Sequence, residues 1–67
     1  MSEELIRDFY GRVIGRIRFQ DNGIKEIFDF QGRKLGWYDP TTNITRDFYG
    51  RVVARGDALT MLLSEAK

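Results

Sequence analysis

The stretch Arg7-Asp8-Phe9-Tyr10-Gly11-Arg12-Val13 decides the fold, because it occurs twice in the chain. Residues 46–52 repeat it letter for letter, and a middle copy at residues 28–34 reads Phe-Asp-Phe-Gln-Gly-Arg-Lys. The copies start 21 and then 18 residues apart, so the connecting segments vary in length while the core unit does not. The sequence therefore predicts three copies of one structural unit.

Each unit has the residue types of a β-hairpin. Asp at the first turn position accepts hydrogen bonds from backbone N–H groups inside the turn, and Gly three residues later adopts a left-handed conformation without strain. Asp-x-x-Gly is typical of a type I turn followed by a Gly bulge. The flanking residues are mostly β-branched, aromatic or long and basic. We predict hairpins at about residues 4–19, 24–38 and 43–55, which gives six antiparallel strands in up-and-down order.

The periodicity changes after Gly56. Asp57 is a good helix N-cap, and Leu59, Leu62 and Leu63 form an apolar stripe at helical spacing. We predict a short helix at about residues 57–66 that covers an open end of the sheet. The 67 residues form a single domain, 1–67.

Small residues recur four positions after each turn glycine, at Gly15, Gly36 and Ala54. Small residues inside strands indicate close backbone approach or a sharp bend. A bend in every copy lets a sheet curl, so the sequence predicts a small pseudo-symmetric barrel of three hairpins. The apolar residues just before these positions would then be equivalent core sites: Ile14, Leu35 and Val53.

The repeated Asp-Phe-x-Gly-Arg, followed by an apolar residue and then a small one, resembles the small bacterial β-flower proteins. Trp37-Tyr38-Asp39-Pro40 after the second copy adds to the likeness, which covers about residues 5–63. The resemblance implies a shallow barrel of repeated hairpins and no established activity or catalytic residue. A four-fold family pattern would mean that the C-terminal segment replaces a fourth hairpin or has diverged from it.

Composition narrows the possible chemistry. The chain has no Cys and no His, which excludes disulfides, thiolate–imidazole zinc sites and the most common general base. The acidic start is no targeting signal, and no apolar run approaches the roughly 20 residues that span a bilayer. The absence of Cys fits an intracellular protein, and we expect a cytoplasmic one. We predict no catalytic residue, no metal site and no cofactor.

Two charged positions recur in every copy. Asp8, Asp29 and Asp47 sit where a turn favours Asp, so turn capping is the simpler interpretation than metal binding. The equivalent arginines either pair with these carboxylates or converge to hold a phosphate or carboxylate. They are the candidate anion-binding residues: Arg12, Arg33 and Arg51. Between residues 5 and 56 ten Lys or Arg face six Asp or Glu, although the whole chain carries only +1.

The aromatic residues also follow the repeat. Phe9, Phe30 and Phe48 occupy one turn position in all copies, which favours packing between hairpins over an exposed recognition surface. The next position varies as Tyr10, Gln31 and Tyr49, so we predict that it faces solvent. The candidate interaction surface is therefore Tyr10, Tyr49 and Trp37.

These observations favour a non-enzymatic protein-interaction or self-assembly domain, since a domain of this size is marginal alone and gains from a partner or a homo-oligomer. One alternative is single-stranded nucleic acid held by arginine and aromatic side chains. Another is an anionic ligand or lipid headgroup held by the three equivalent arginines.

Overall fold

The structure, a computed structural model, describes residues 2–65. It contains six strands and one helix: β1 Ser2–Arg7, β2 Val13–Phe19, β3 Lys25–Asp29, β4 Lys34–Asp39, β5 Ile44–Asp47, β6 Val52–Arg55 and α1 Leu59–Glu65. The predicted strands and the short C-terminal helix are confirmed. The predicted helix end at Ala66 lies outside the described residues. We call β1–β2 hairpin 1, β3–β4 hairpin 2 and β5–β6 hairpin 3.

The strands form one antiparallel sheet in the order β1-β2-β3-β4-β5-β6, so each strand pairs with its neighbour in sequence. Among the described residues β6 does not pair with β1. The sheet is therefore open, with β1 and β6 as its edges. It is not the closed barrel that the sequence predicts.

Each hairpin bends next to its tip. The register shifts between Ile6 and Arg7 in hairpin 1, and the corresponding shifts in the other two lie at 27/28 and 45/46. The turn glycines have φ of 83°, 88° and 86° at positions 11, 32 and 50. Such bulges increase the local twist of a hairpin. The predicted turn followed by a Gly bulge is confirmed.

The helix α1 packs on β3 and β4, in the middle of the sheet, and not over an open end as predicted, because the sheet does not close into a barrel with such an end. Its apolar stripe and one sheet residue form the buried core: Ile27, Leu59, Leu62 and Leu63. Full burial of each such side chain contributes roughly 1.5–3 kcal/mol relative to exposure. The predicted core positions Ile14, Leu35 and Val53 are partly buried and pack against this cluster. The helix thus supplies most of the buried apolar surface.

Gly15 and Gly36 allow the helix and the neighbouring strand to approach closely, as predicted. A Cβ atom at Gly36 would lie 2.2 Å from the carbonyl oxygen of Arg46 and 2.6 Å from Cδ1 of Leu62. One at Gly15 would lie 2.6 Å from the carbonyl oxygen of Phe28 and 2.8 Å from Cδ2 of Leu63. Any side chain there would push a strand or a core leucine away.

Thr45 ties the start of the helix to the sheet. It is fully buried, at the position that Ile6 and Ile27 occupy in the other hairpins. Its hydroxyl donates to the carbonyl of Gly56 at 2.6 Å and accepts from the N–H of Ala58 at 3.1 Å. A branched side chain of similar size thus keeps its place in the core while satisfying two buried backbone groups.

Asp57 also holds this region. Its carboxylate accepts a hydrogen bond from the N–H of Leu59 at 3.4 Å, the contact predicted for a capping residue. It also pairs with the ammonium of Lys25 on β3. The helix is therefore joined to hairpin 2 by polar contacts at its start and by leucines along its length.

Candidate functional site

The same pattern of hydrogen bonds forms within each of the three hairpin tips. In hairpin 1, Oδ1 of Asp8 accepts from the N–H of Tyr10 at 2.8 Å and of Arg12 at 3.0 Å. The N–H of Asp8 donates to the carbonyl of Arg12 at 2.9 Å, which closes the hairpin. The tips at Asp29 and Asp47 make the same bonds at distances of 2.9–3.0 Å. Each tip is therefore held rigid by its own residues.

Each of the three candidate arginines pairs with the Asp of its own hairpin. The Nε–Oδ2 distances are 3.0 Å for Arg12–Asp8, 2.9 Å for Arg33–Asp29 and 2.8 Å for Arg51–Asp47. The arginine side chains remain 74%, 73% and 75% exposed. Their terminal Nη atoms make no hydrogen bond to the described part of the chain. The arginines thus combine a local ion pair with donors that are open to a ligand.

The tip carboxyls are acids of lowered pKa. The backbone N–H of Arg12, chiefly, and then the N–H of Tyr10 and the Arg12 guanidinium, hold the pKa of Asp8 below its ordinary value. Burial raises the pKa of Asp29 and Asp47, but the hydrogen bonds from Arg33 and Arg51 outweigh it and lower both. These carboxylates are ionised at neutral pH, and their oxygens are occupied by the turn. They suit turn capping better than proton transfer.

The prediction that the tip phenylalanines pack between hairpins is wrong. Phe9 is 96% exposed, Phe30 71% and Phe48 58%. The physical reason is local, because each ring directly follows the Asp that begins its turn, at a position outside the strands. Identical residues in all copies reflect an identical turn environment here and not a shared core. The corner position of the turn was the signal that could have revealed these exposed rings.

Tyr10 and Tyr49 are exposed, as predicted, and each stands in a small cluster of its own tip. The ring of Tyr10 meets that of Phe9 edge-to-face at 5.8 Å, and the Arg12 guanidinium lies 5.4 Å from its centroid. In hairpin 3 the Tyr49 ring meets that of Phe48 at 5.4 Å and has the Arg51 guanidinium 5.5 Å away. Both tips therefore present a phenylalanine, a tyrosine and an arginine together.

Trp37 lies elsewhere, in the middle of β4. It is half-buried, pairs across the sheet with Glu26 and Arg46, and has the Lys34 ammonium 5.2 Å from its ring. The Lys34 ammonium also pairs with Glu26 at 2.6 Å. The structure thus does not bring Trp37 together with the two tip tyrosines.

The sequence analysis missed a group of basic and aromatic side chains on the face of the sheet that carries Trp37. The guanidinium groups of Arg16 and Arg18 lie 5.8 Å and 5.0 Å from the ring of Phe28. Phe28 occupies the position of Arg7 and Arg46, whose Nη1 atoms donate to the carbonyls of the turn glycines at 3.0 Å and 2.9 Å. In the sequence, the replacement of Arg by Phe at this position of the middle copy is the feature that could have revealed the group.

A cleft of about 630 Å³ lies between hairpin 2 and the tip of hairpin 3. The pairing of β4 with β5 ends at Gly36 and Asp47, and the cleft is lined by residues on both sides of this last pair. Its lining comes from both hairpins and the helix: Arg33, Lys34, Leu35, Asp47, Phe48, Tyr49, Arg51 and Leu62. The structure therefore brings Arg33 and Arg51 to one cleft, together with Tyr49. Arg12 is not part of this lining.

Two further features bear on possible chemistry. In residues 2–65, no group of three acidic side chains is arranged to hold a metal ion. Within this range, no helix has both the length and the apolar character that crossing a membrane requires.

The chain matches no protein-family model, no curated protein and no solved structure.

Proposed function

We propose that this chain is a non-enzymatic interaction module that binds a protein partner, in the first place a second copy of itself, through its hairpin tips. The observation that carries the proposal is the exposure of five aromatic side chains at the three tips: Phe9, Tyr10, Phe30, Phe48 and Tyr49. Surface aromatics are unremarkable when they are single. Here they are grouped on turns that are already rigid.

The chemistry of a tip suits an interface. Tyrosine and arginine are enriched among the residues that carry most of the binding energy between proteins. Each buried phenylalanine contributes roughly 1.5–3 kcal/mol. The Asp–Arg network orders the tip before any partner arrives, so binding loses little conformational entropy there. The low pKa and full hydrogen bonding of the tip carboxylates support an interaction role over a catalytic one.

The edges of the sheet add a second contact to the proposal. β1 and β6 are unpaired edges of the described sheet, and unpaired backbone groups favour pairing with another strand. We propose that β6 of one copy pairs with β1 of another, which would continue the sheet from one copy into the next. Membership of the β-flower proteins is part of the same proposal and rests on the repeated motif.

Light scattering across a dilution series tests the proposal. We expect the wild-type chain to associate and the triple variant Phe9→Ser/Phe30→Ser/Phe48→Ser to remain a monomer with an unchanged circular dichroism spectrum. Met61→Gln is the matched control, because Met61 is an exposed apolar residue on α1, away from the tips and from both edge strands, whereas Leu5→Ser tests the β1 edge. A wild-type chain that is monomeric at every concentration would sink self-association. Loss of association in Leu5→Ser alone would move the interface from the tips to the strand edges.

A further inference from the structure

The cleft between hairpin 2 and the tip of hairpin 3 has a chemical character that protein association does not explain. Its lining includes two apolar side chains, Leu35 and Leu62 of the helix, and two aromatic ones, Phe48 and Tyr49. A volume of about 630 Å³ lies within the range of small-molecule sites. Such a site suits a ligand with an apolar body.

The charged side chains of the cleft indicate which head group such a ligand carries. Both oxygens of Asp47 are occupied within the tip, by the N–H groups of Tyr49 and Arg51 and by Nε of Arg51. The Lys34 ammonium is held by Glu26. Arg33 and Arg51 use Nε for their own Asp, and within the described chain their Nη atoms stay available. The donors left for a ligand are therefore two guanidinium groups, which favour a carboxylate.

We propose that this cleft binds an anionic amphiphile, a carboxylate head group on an unbranched apolar chain. The head group would meet Arg33 and Arg51, and the chain would lie against four apolar or aromatic side chains: Leu35, Leu62, Phe48 and Tyr49. Charge complementarity selects this occupant over a cationic amphiphile of the same length. The proposal is independent of self-association, because all its residues belong to one copy.

The chain contains its own comparison for this site. The positions corresponding to Lys34 and Tyr49, taken one hairpin earlier, are Val13 and Gln31. The corresponding place between hairpins 1 and 2 thus has the same turn and arginine, but it has Gln31 instead of a tyrosine. We infer that the amphiphile prefers the cleft next to hairpin 3.

Binding of decanoate, followed by ¹⁵N NMR titration at a dilution where light scattering shows a monomer, tests the proposal. We expect saturable shifts at residues 33–35, 47–51 and 62. Decyltrimethylammonium, which has the same chain and a positive head, should bind at least tenfold more weakly. Acetate, which has the head alone, should not saturate. Equal binding of the cationic amphiphile, or the absence of saturable decanoate binding, would overturn the proposal.

Matched variants locate the site. Arg33→Gln/Arg51→Gln should weaken decanoate binding at least tenfold, whereas Arg12→Gln, which breaks the same kind of exposed ion pair outside the cleft, should change it less than twofold. Tyr49→Gln should weaken it severalfold and Tyr10→Gln should not. An equal loss in Arg12→Gln or Tyr10→Gln would place binding on the tips in general and reject the cleft. Binding by all these variants is measured in the monomer. The results therefore do not depend on whether the chain self-associates.

Discussion

The face of the sheet under the helix and the three hairpin tips are held together by different kinds of contact. Under the helix, contacts join residues far apart in sequence, and Gly36 fits only because it has no side chain between Arg46 and Leu62. At a tip, every polar contact lies within a few residues, and the aromatic rings face solvent. The difference teaches that stability is concentrated in one interface, which leaves the tips free to serve binding.

The largest effect should come from emptying the helix interface. Leu62 is buried against the sheet, and Leu62→Ala removes apolar surface and leaves a cavity that costs about 2–5 kcal/mol. The core of so small a domain rarely supplies more than roughly 3–5 kcal/mol. We therefore expect a largely unfolded chain in urea titration and circular dichroism. Met61→Ala, on the exposed side of the same helix, should change stability by less than about 0.5 kcal/mol. Similar losses in both variants would contradict the concentration of stability under the helix.

Filling the close approach should have the next largest effect. Gly36→Ala places a methyl group 2.2 Å from a backbone oxygen, so the neighbouring strand must shift. We expect a loss of about 1–3 kcal/mol in the free energy of unfolding, as for other overpacked cores. The third hairpin already has Ala54 at this position, and Ala54→Gly should cost only about 0.5–1 kcal/mol. A Gly36→Ala variant as stable as the wild type would show that the strands yield freely there.

Removing the buried hydroxyl of Thr45 should have an effect of similar size. Thr45→Val keeps the volume but leaves the N–H of Ala58 and the carbonyl of Gly56 without their partner, which costs about 1–3 kcal/mol. The effect should appear as lost protection of the Ala58 amide in hydrogen exchange. Thr42→Val in the exposed β4–β5 connection serves as the control and should change stability by less than about 0.5 kcal/mol.

The smallest effect should appear at the tips, in acid. The folded pKa of Asp8 is lowered, so its carboxylate stabilises the fold above the unfolded pKa of about 4, and this contribution is lost as pH falls through the folded value. Asp8→Asn lacks the ionised group. We therefore expect it to be slightly less stable than the wild type at pH 7 and equally stable at the lowest pH. A stability difference between the two that persists unchanged into strong acid would contradict this assignment.

What the sequence predicted correctly depended on local chemistry. Asp8 and Gly11 determine the turn through bonds to their own neighbours, so the tips, the strand order and the helix could be read from short segments. Gly36 and Leu62 revealed their roles through spacing, because a small residue in a strand and an apolar stripe on a helix each imply a partner.

What the sequence did not predict depended on relations between distant residues. The open edges of the sheet depend on how far the hairpins curl, which no single residue determines. The cleft combines residues of hairpin 2, hairpin 3 and the helix, from position 33 to position 62. The orientation of Phe9 was misjudged because identity between copies was interpreted as shared packing. In the sequence, Thr45 differs from Ile6 and Ile27 at the same position of the repeat. The reason is its hydrogen bonds to Gly56 and Ala58, which depend on where the helix begins.

The strand order has a consequence for how the chain folds. Neighbour-to-neighbour pairing keeps sheet contacts short in sequence, and such topologies fold rapidly, with single hairpins forming in about 1–10 μs. The helix alone must return across the sheet to β3 and β4. We expect its docking to follow the transition state, so that the milder truncation Leu62→Val, which keeps most of the core contact and a folded chain, speeds unfolding in stopped-flow experiments far more than it slows refolding. A comparable slowing of refolding would place the helix in the folding nucleus. On this view the hairpins assemble the frame quickly, and the lifetime of the native state is determined by how long one short helix stays in place.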